Sequence, residues 1–399
     1  MKVIVHINSV KNGSTGHIMN SLAKQARKNG MLAYTSCAGN LYQRRLPTEC
    51  PEFHLYIGGI FENKLHKTLG TVFGCGGCFS HIGTYFYLKK LDKIKPDIIH
   101  VHNLHSNYIN LKMLFSYIKR KGISVIWTLH DCWSFTGHCP HFQIAGCKKW
   151  EEECYECPQY KEYPEALHDD SVFMYKLKKK YFTSPLNMKL VAPSMWLSNL
   201  VKKSFLKNYP ISVIYNGIDL KTFRFVKSNF RNQYNLEGKI VILGVSFSWG
   251  YKKGLDVFVQ LAKKLPDAYK IVLVGITEQI RKELPMQIIS IGLTNSIEEL
   301  VQIYSSADIF INPTREEVFG LVNVEALACG VPVITFDSGG AAESIDDFCG
   351  KIVEQNDFDG LLKAIDELTK KKIPRELCRK RAEYFSMERQ SREYLKLYE

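Results

Sequence analysis

The stretch REEVFGLVNVEALACGVPVITFDSGGAAE, Arg315 to Glu343, decides how this chain reads. Most of its residues suit a buried core, yet it keeps two carboxylates, Glu317 and Glu325, with seven residues between them. The run DIFINP before it (308–313) reads as a strand, and LVNVEALA after Gly320 reads as a helix. Glu317 then sits on the loop between the two, and Glu325 in the second turn of the helix. The backbone N–H groups of Val318, Phe319 and Gly320 lie at the helix N-terminus, where a phosphate is favoured. Carboxylates on either side of a phosphate can each accept a pair of hydroxyls. A nucleoside diphosphate sugar has that layout, with a ribose diol on one side and a hexose on the other. The plainer alternative is a helix with one exposed Glu and one Glu favoured by the helix dipole.

Working outward, both halves alternate short β-branched runs with helical patterns, the mark of parallel α/β layers. The strand candidates in the first half are residues 3–8, 97–102, 124–130 and 190–194; in the second they are 239–245, 269–275, 288–292, 308–313 and 331–336. Helices are expected at GLDVFVQLAKKL and SIEELVQIYSSA, and the last stretch, RKRAEYFSMERQSREYLKLYE, reads as one terminal helix. A chain of 399 residues exceeds what one core usually supports. The expected division is 1–205, 206–380 and a terminal helix, 381–399. Rossmann-like halves bind ligands at the carboxyl ends of their strands, so facing halves would hold a ligand in the cleft between them.

Three further features point to those strand ends. NSVKNGSTGHIM follows the first strand, and Gly13 and Gly16 there permit a tight turn before a helix. His130 ends a buried strand in WTLHDCW, where a structural His is the commoner outcome. Lys252 and Lys253 precede Gly254 in SWGYKKGLD, between a strand that ends near Ser246 and a helix.

The composition is that of a soluble globular protein, and no apolar run reaches the roughly 18 residues of a membrane span. MKVIVHINSV reads as a strand rather than a signal peptide. The expected location is therefore the cytoplasm, where cysteines are free thiols or metal ligands more often than disulfides. The formal charge of +13 lies entirely in the first half: residues 1–205 hold 27 Lys and Arg against 14 Asp and Glu. The basic, aromatic runs YFYLKKLDKIK and MYKLKKKYF suit either solvated helix faces or contact with an anionic membrane or phosphorylated partner.

The segment PTREEVFGLVNVEALACGVPVITFDSGGAAE resembles the donor-binding signature of retaining glycosyltransferase family 4, of GT-B fold. VAPSMWL, VIYNGIDLKTF, the Lys253–Gly254 pair and the terminal helix extend the resemblance along the chain. GSTGHIM, PDIIHVHNLH and TLHDCWSFTGHC are similar to a bacterial branch that builds capsular, exopolysaccharide or O-antigen glycans. The resemblance implies an α/β GT-B protein with two Rossmann-like domains facing across a cleft and a last helix crossing back to the first. It implies transfer of a sugar from a nucleotide diphosphate sugar, with retention and without a divalent metal, to a glycan or lipid-diphosphate-linked acceptor.

The resemblance also implies individual roles. Glu317 contacts donor-sugar hydroxyls, Glu325 holds the ribose diol and Lys253 neutralises the leaving diphosphate. His130 contacts the transferred sugar, Gly16 lets its loop approach the donor, and Ser246 and Lys252 join the donor site. Amides around Val318, Phe319, Gly320 and Leu321 cradle the phosphate. The family usually carries an Arg where this chain has Phe247 and Ser248, and Lys252 is the candidate substitute. The Asp-x-Asp at 357–359 is read as a loop rather than a metal motif.

Within a Cys-rich insertion at about 137–165, Cys139, Cys147, Cys154 and Cys157 have the ligand count of a structural zinc site. His138 and His141 are stand-ins, and unpaired thiols or a disulfide are the other readings. Two rival functions are a GT-B relative without transferase activity, such as an epimerase or phosphorylase, and a basic, zinc-stabilised nucleic-acid-binding protein. The complete Glu-x7-Glu stretch disfavours the first, and the lack of a recognition helix or RNA-binding aromatic signature disfavours the second.

Overall fold

A computed structural model describes all 399 residues. The chain divides into two compact units: Met1–Ile214 with Ser391–Glu399, and Tyr215–Gln390.

The first unit is built on a seven-stranded sheet: β1 (Val3–Ile7), β2 (Leu32–Ala38), β3 (His54–Ile57), β4 (Ile98–Val101), β5 (Ser124–Thr128), β6 (Met188–Ala192) and β7 (Ile211–Val213). All neighbours are parallel and the order is β3-β2-β1-β4-β5-β6-β7. The order reverses between β1 and β4, and a sheet of this kind opens a crevice for ligands at the carboxyl ends of such a strand pair. On one face Ile4, Ile98, Ile126 and Val191 pack with Ile18, Leu22 and Ala26 and with Tyr394 and Tyr398 of the last helix.

The second unit repeats the plan in six parallel strands: β8 (Ile240–Val245), β9 (Tyr269–Val274), β10 (Ile288–Ile291), β11 (Ile309–Asn312), β12 (Val333–Phe336) and β13 (Gly350–Val353). Their order is β10-β9-β8-β11-β12-β13, and the reversal falls between β8 and β11. A separate apolar core covers each face of this sheet. The helices Leu255–Lys264 and Ile297–Ser305 form where their apolar periodicity places them.

Several expectations are corrected. The terminal stretch is two helices, Arg375–Glu383 and Met387–Tyr398, rather than one. The break is held by Ile218: its N–H donates to the Phe385 carbonyl at 3.0 Å, and its carbonyl accepts from the Met387 N–H at 2.9 Å. The helix after β1 already begins at Gly13, so Gly16 lies in its first turn and not in the preceding loop. Asp357, read as part of a loop, caps the helix Phe358–Lys370 by accepting from the Gly360 N–H. Strands β2, β3, β7 and β13 escaped the sequence reading because their residues are small, polar or few.

Candidate active site

In the second unit the site grows from the two strands that flank the reversal. Beyond β8 the chain turns at Ser246, whose hydroxyl donates to the Ser248 carbonyl at 3.0 Å, and Phe247 stands 84% exposed at the edge. A short 3-10 turn, Tyr251–Lys253, follows. Beyond β11 the chain runs through Thr314, Arg315, Glu316 and Glu317 to the helix Leu321–Ala328. The two loops are bolted together. The Arg315 N–H donates to the Lys252 carbonyl at 2.8 Å, and its guanidinium stacks 3.9 Å over the Tyr251 ring. The same guanidinium grips Asp256 through both terminal nitrogens at 2.8 Å. Gly254, at φ +70°, lies so close to β11's end that a Cβ there would meet the Pro313 oxygen at 2.4 Å.

Two adjacent lysines thereby meet two adjacent glutamates. Lys253 Nζ lies 2.5 Å from Glu317 Oε2, and Lys252 Nζ lies 3.3 Å from the buried Glu316 carboxylate. The other Glu317 oxygen accepts from the Val318 N–H at 3.2 Å, so that amide is satisfied by a side chain. The backbone of Glu317 is fixed from behind: its carbonyl accepts from the Gly340 N–H at 3.0 Å, and a Cβ on Gly339 would fall 1.8 Å from the same oxygen. Gly320 takes a left-handed conformation at φ +77° as the residue before the helix, which leaves first-turn amides without helical partners. Asn323, one turn on, is held by Asn312 and Ser344.

Glu325 is half-buried and accepts from the Tyr304 hydroxyl at 2.9 Å. Burial pushes its carboxyl up to about 7, and the Tyr304 hydrogen bond pulls the other way. Nothing in the sequence marked Tyr304, because its partner lies on another helix. Arg315 and Glu316 were equally invisible as the hinge of the site, although they stand inside the quoted motif.

In the first unit His130 lies two residues past β5, with Nε2 at 3.0 Å from His102 Nδ1. Burial lowers its pKa to about 4, so the ring is neutral near pH 7. Asp131 beside it accepts from His105 at 3.0 Å and from the Trp133 N–H at 2.9 Å. Gly16 faces its own loop: a Cβ there would meet the Lys11 oxygen at 2.5 Å. The glycine is therefore required for that loop to close.

The four cysteines of the insertion lie in a stretch whose only regular element is the 3-10 turn Lys149–Glu151. Cys139 and Cys157 are free thiols that hydrogen-bond to each other, and Cys154 Sγ accepts from the Gly137 N–H at 3.1 Å. Buried His138 keeps an Nε2 with no hydrogen-bond partner. No helix is long and apolar enough to cross a membrane.

Residues 226–385 match the family Glycosyl transferases group 1, and residues 77–222 match Glycosyltransferase Family 4. WcaC of Escherichia coli K12, named for glycosyl transfer in colanic acid biosynthesis, is 25% identical over 270 residues, 66% of this chain. That match spans 65% of WcaC, just under two thirds of its length. A sucrose-phosphate synthase from Thermosynechococcus elongatus superposes with a TM-score of 0.73 at 18% identity, covering 100% of this chain and 98% of that one. Anabaena HepE, solved with UDP-glucose, gives 0.68 at 14% identity, over 100% and 99%. At such identities the two structures speak for the fold, which is GT-B. With both halves matched and a parallel Rossmann-like sheet in each, the chain belongs to glycosyltransferase family 4, a family of retaining enzymes.

Proposed function

We propose that the chain transfers a sugar, with retention, from a nucleotide diphosphate sugar to a glycan or lipid-linked sugar in cell-surface polysaccharide synthesis, forming an α-linkage. The observation that carries this reading is the Lys253–Glu317 pair, 2.5 Å apart, on the two loops flanking the strand reversal of the second unit. A cation, a carboxylate and a helix N-terminus meet there. As the bond between the sugar carbon and the diphosphate breaks, charge grows on the diphosphate. Lys253 and the amides of Phe319, Gly320 and Leu321 stabilise that charge, the kind of effect that usually dominates catalysis. Glu317 then turns from Lys253 to sugar hydroxyls, and Glu325 accepts the ribose diol.

Lys252 supplies positive charge at one remove, because its ammonium is paired with Glu316. His130 contacts a sugar hydroxyl at the carboxyl edge of the first unit. Enzymes of this family are typically metal-independent, and the cationic and backbone groups just named suit that. HepE with UDP-glucose supports a donor of the nucleotide-sugar class. The second unit, with its donor signature, takes the donor, and the basic first unit takes the acceptor.

A thermal-shift screen against nucleotide diphosphates and nucleotide sugars tests the donor site. One ligand should raise the melting temperature, and Glu325→Ala should abolish the shift. No shift with any nucleotide would sink the reading.

Two attachments to this proposal concern the first unit. The helices Ile60–Phe73 and His81–Ile94 expose Phe61, Leu65, Ile82, Tyr85 and Phe86 among Lys64, Lys67, Lys89, Lys90 and Lys93. Such a face suits an anionic membrane surface at the cytoplasmic side. Salt-sensitive binding to phosphatidylglycerol vesicles, lost in Phe61→Ser with Phe86→Ser, is the expected result. The second attachment is a structural zinc ion on Cys139, Cys147, Cys154 and Cys157. The four stand in one insertion as free thiols but not close enough together to share an ion, which only His6, His100 and His102 are. Zinc would have to draw them in, and metal analysis should find about one per chain, lost on Cys154→Ser.

A further inference from the structure

Three imidazoles run inward from the carboxyl edge of the first sheet. His130 Nε2 meets His102 Nδ1 at 3.0 Å, and His102 Nε2 meets His6 Nδ1 at 3.3 Å. Their rings stack pairwise, with centroids 5.3 Å and 5.6 Å apart. His6, on β1, and His102, one residue past β4, are both buried, and the Trp127 indole N–H donates to the His102 carbonyl at 3.0 Å. The row ends at His6 Nε2, which is buried without a hydrogen-bond partner.

We infer that His102, itself ordered by His6, is a positioning residue that fixes the tautomer of His130 so that Nδ1 carries the proton and donates to a ligand oxygen. Each neutral imidazole has one N–H and one lone pair, so the row can be proton-ordered in only two ways. In one, His6 Nδ1–H donates to His102 and His102 Nδ1–H donates to His130 Nε2. His130 then keeps its proton on Nδ1, and the inner end is a bare lone pair on His6. In the other, every bond reverses, His130 Nδ1 becomes an acceptor, and His6 Nε2–H is a buried donor with nothing to receive it. Orphaned buried N–H groups are the rarer and costlier defect. The first order therefore wins.

Burial keeps the row neutral, which preserves this two-way choice: His6 is lowered to about 3, His130 to about 4 and His102 well below its ordinary value. His6, His100 and His102 bring ring nitrogens within 4.8 Å of one another, close enough for a metal ion. Hydrogen bonds already use every ring nitrogen of the three except His6 Nε2: His100 Nδ1 pairs with the Tyr398 hydroxyl at 2.7 Å and Nε2 with the Thr128 hydroxyl at 2.8 Å.

The inference deepens the role proposed for His130 and rests on it for the ligand alone; the tautomer stands or falls separately. The test is long-range 1H–15N spectroscopy of the full chain labelled at histidine, near pH 7.5, with the His130→Gln spectrum assigning the ring. The wild-type ring should show Nδ1 protonated and Nε2 bare. His102→Leu should shift His130 toward the other tautomer and lower kcat about tenfold or more, with nucleotide affinity unchanged. His102→Asn, whose amide N–H stands where Nδ1–H stood, should restore both. A wild-type His130 protonated on Nε2 overturns the inference, and this arm needs no variant of His102 to fold. An unchanged spectrum in His102→Leu overturns it too. The expected tautomer together with full transfer in His130→Gln upholds the positioning and removes the sugar contact instead.

Discussion

Glu317 carries the sharpest prediction at the scale of single residues. Glu317→Gln keeps the shape and the Val318 contact but loses the charge that Lys253 and the sugar share. Turnover should fall by orders of magnitude while nucleotide binding, read by calorimetry, survives. Lys253→Ala should instead weaken diphosphate binding, so the two variants separate chemistry from affinity. Glu325 adds a pH dependence. Its carboxyl is raised to about 7 in the folded protein from an ordinary value of 4.5, so folding favours the protonated form. The stability this confers is present at acid pH and is lost as pH rises through 7. Hydroxyl pairs need the ionised carboxylate, so affinity for a nucleotide sugar should rise roughly tenfold from pH 6 to pH 8, and Glu325→Gln should flatten the curve. Glu317, Glu325 and Lys253 were legible in the sequence because a motif names residue types at fixed spacings. Tyr304, Glu316 and His102 were not, because each acts through a partner that only the fold brings near.

For elements, the site depends on loops held by backbone contacts as well as by side chains. Gly254 takes a left-handed φ with the Pro313 carbonyl against it, and Gly254→Ala should cost about 1–3 kcal/mol and spread the two loops. Denaturant unfolding would show the loss, and nucleotide affinity should fall with it. The long apolar strands and the strongly periodic helices were readable, since β-branched runs and amphipathic spacing are local signals. The strands at the sheet margins were not: LAYTSCA over β2 is half small and polar, and β7 has three residues. The terminal helix misled for a related reason. Its periodicity runs on through Tyr384 and Phe385, and the break comes from the distant Ile218 backbone.

On the scale of the whole molecule, the fold class was legible because alternating strands and helices leave few solutions. The ends of the two units were not, because a three-residue strand and a returning helix set them. That helix is a packing element in its own right. Tyr394 and Tyr398 are almost wholly covered, and their hydroxyls meet Thr128 and His100 at 2.8 Å and 2.7 Å. Tyr398→Ala should destabilise the first unit by about 3–5 kcal/mol, judged from buried aromatic truncations. Scanning calorimetry should show the first unit's transition moving down and the second's staying in place.

The return of Ser391–Glu399 to the first unit has a consequence for how the chain is made. Tyr215–Gln390 is one unbroken stretch, whereas the unit that contains Met1–Ile214 lacks two buried tyrosines until Ser391–Glu399 has left the ribosome. Domains usually complete themselves in the order of their synthesis. Here the half that is translated first is finished last, and it must wait, with part of one sheet face uncovered, through the birth of its neighbour.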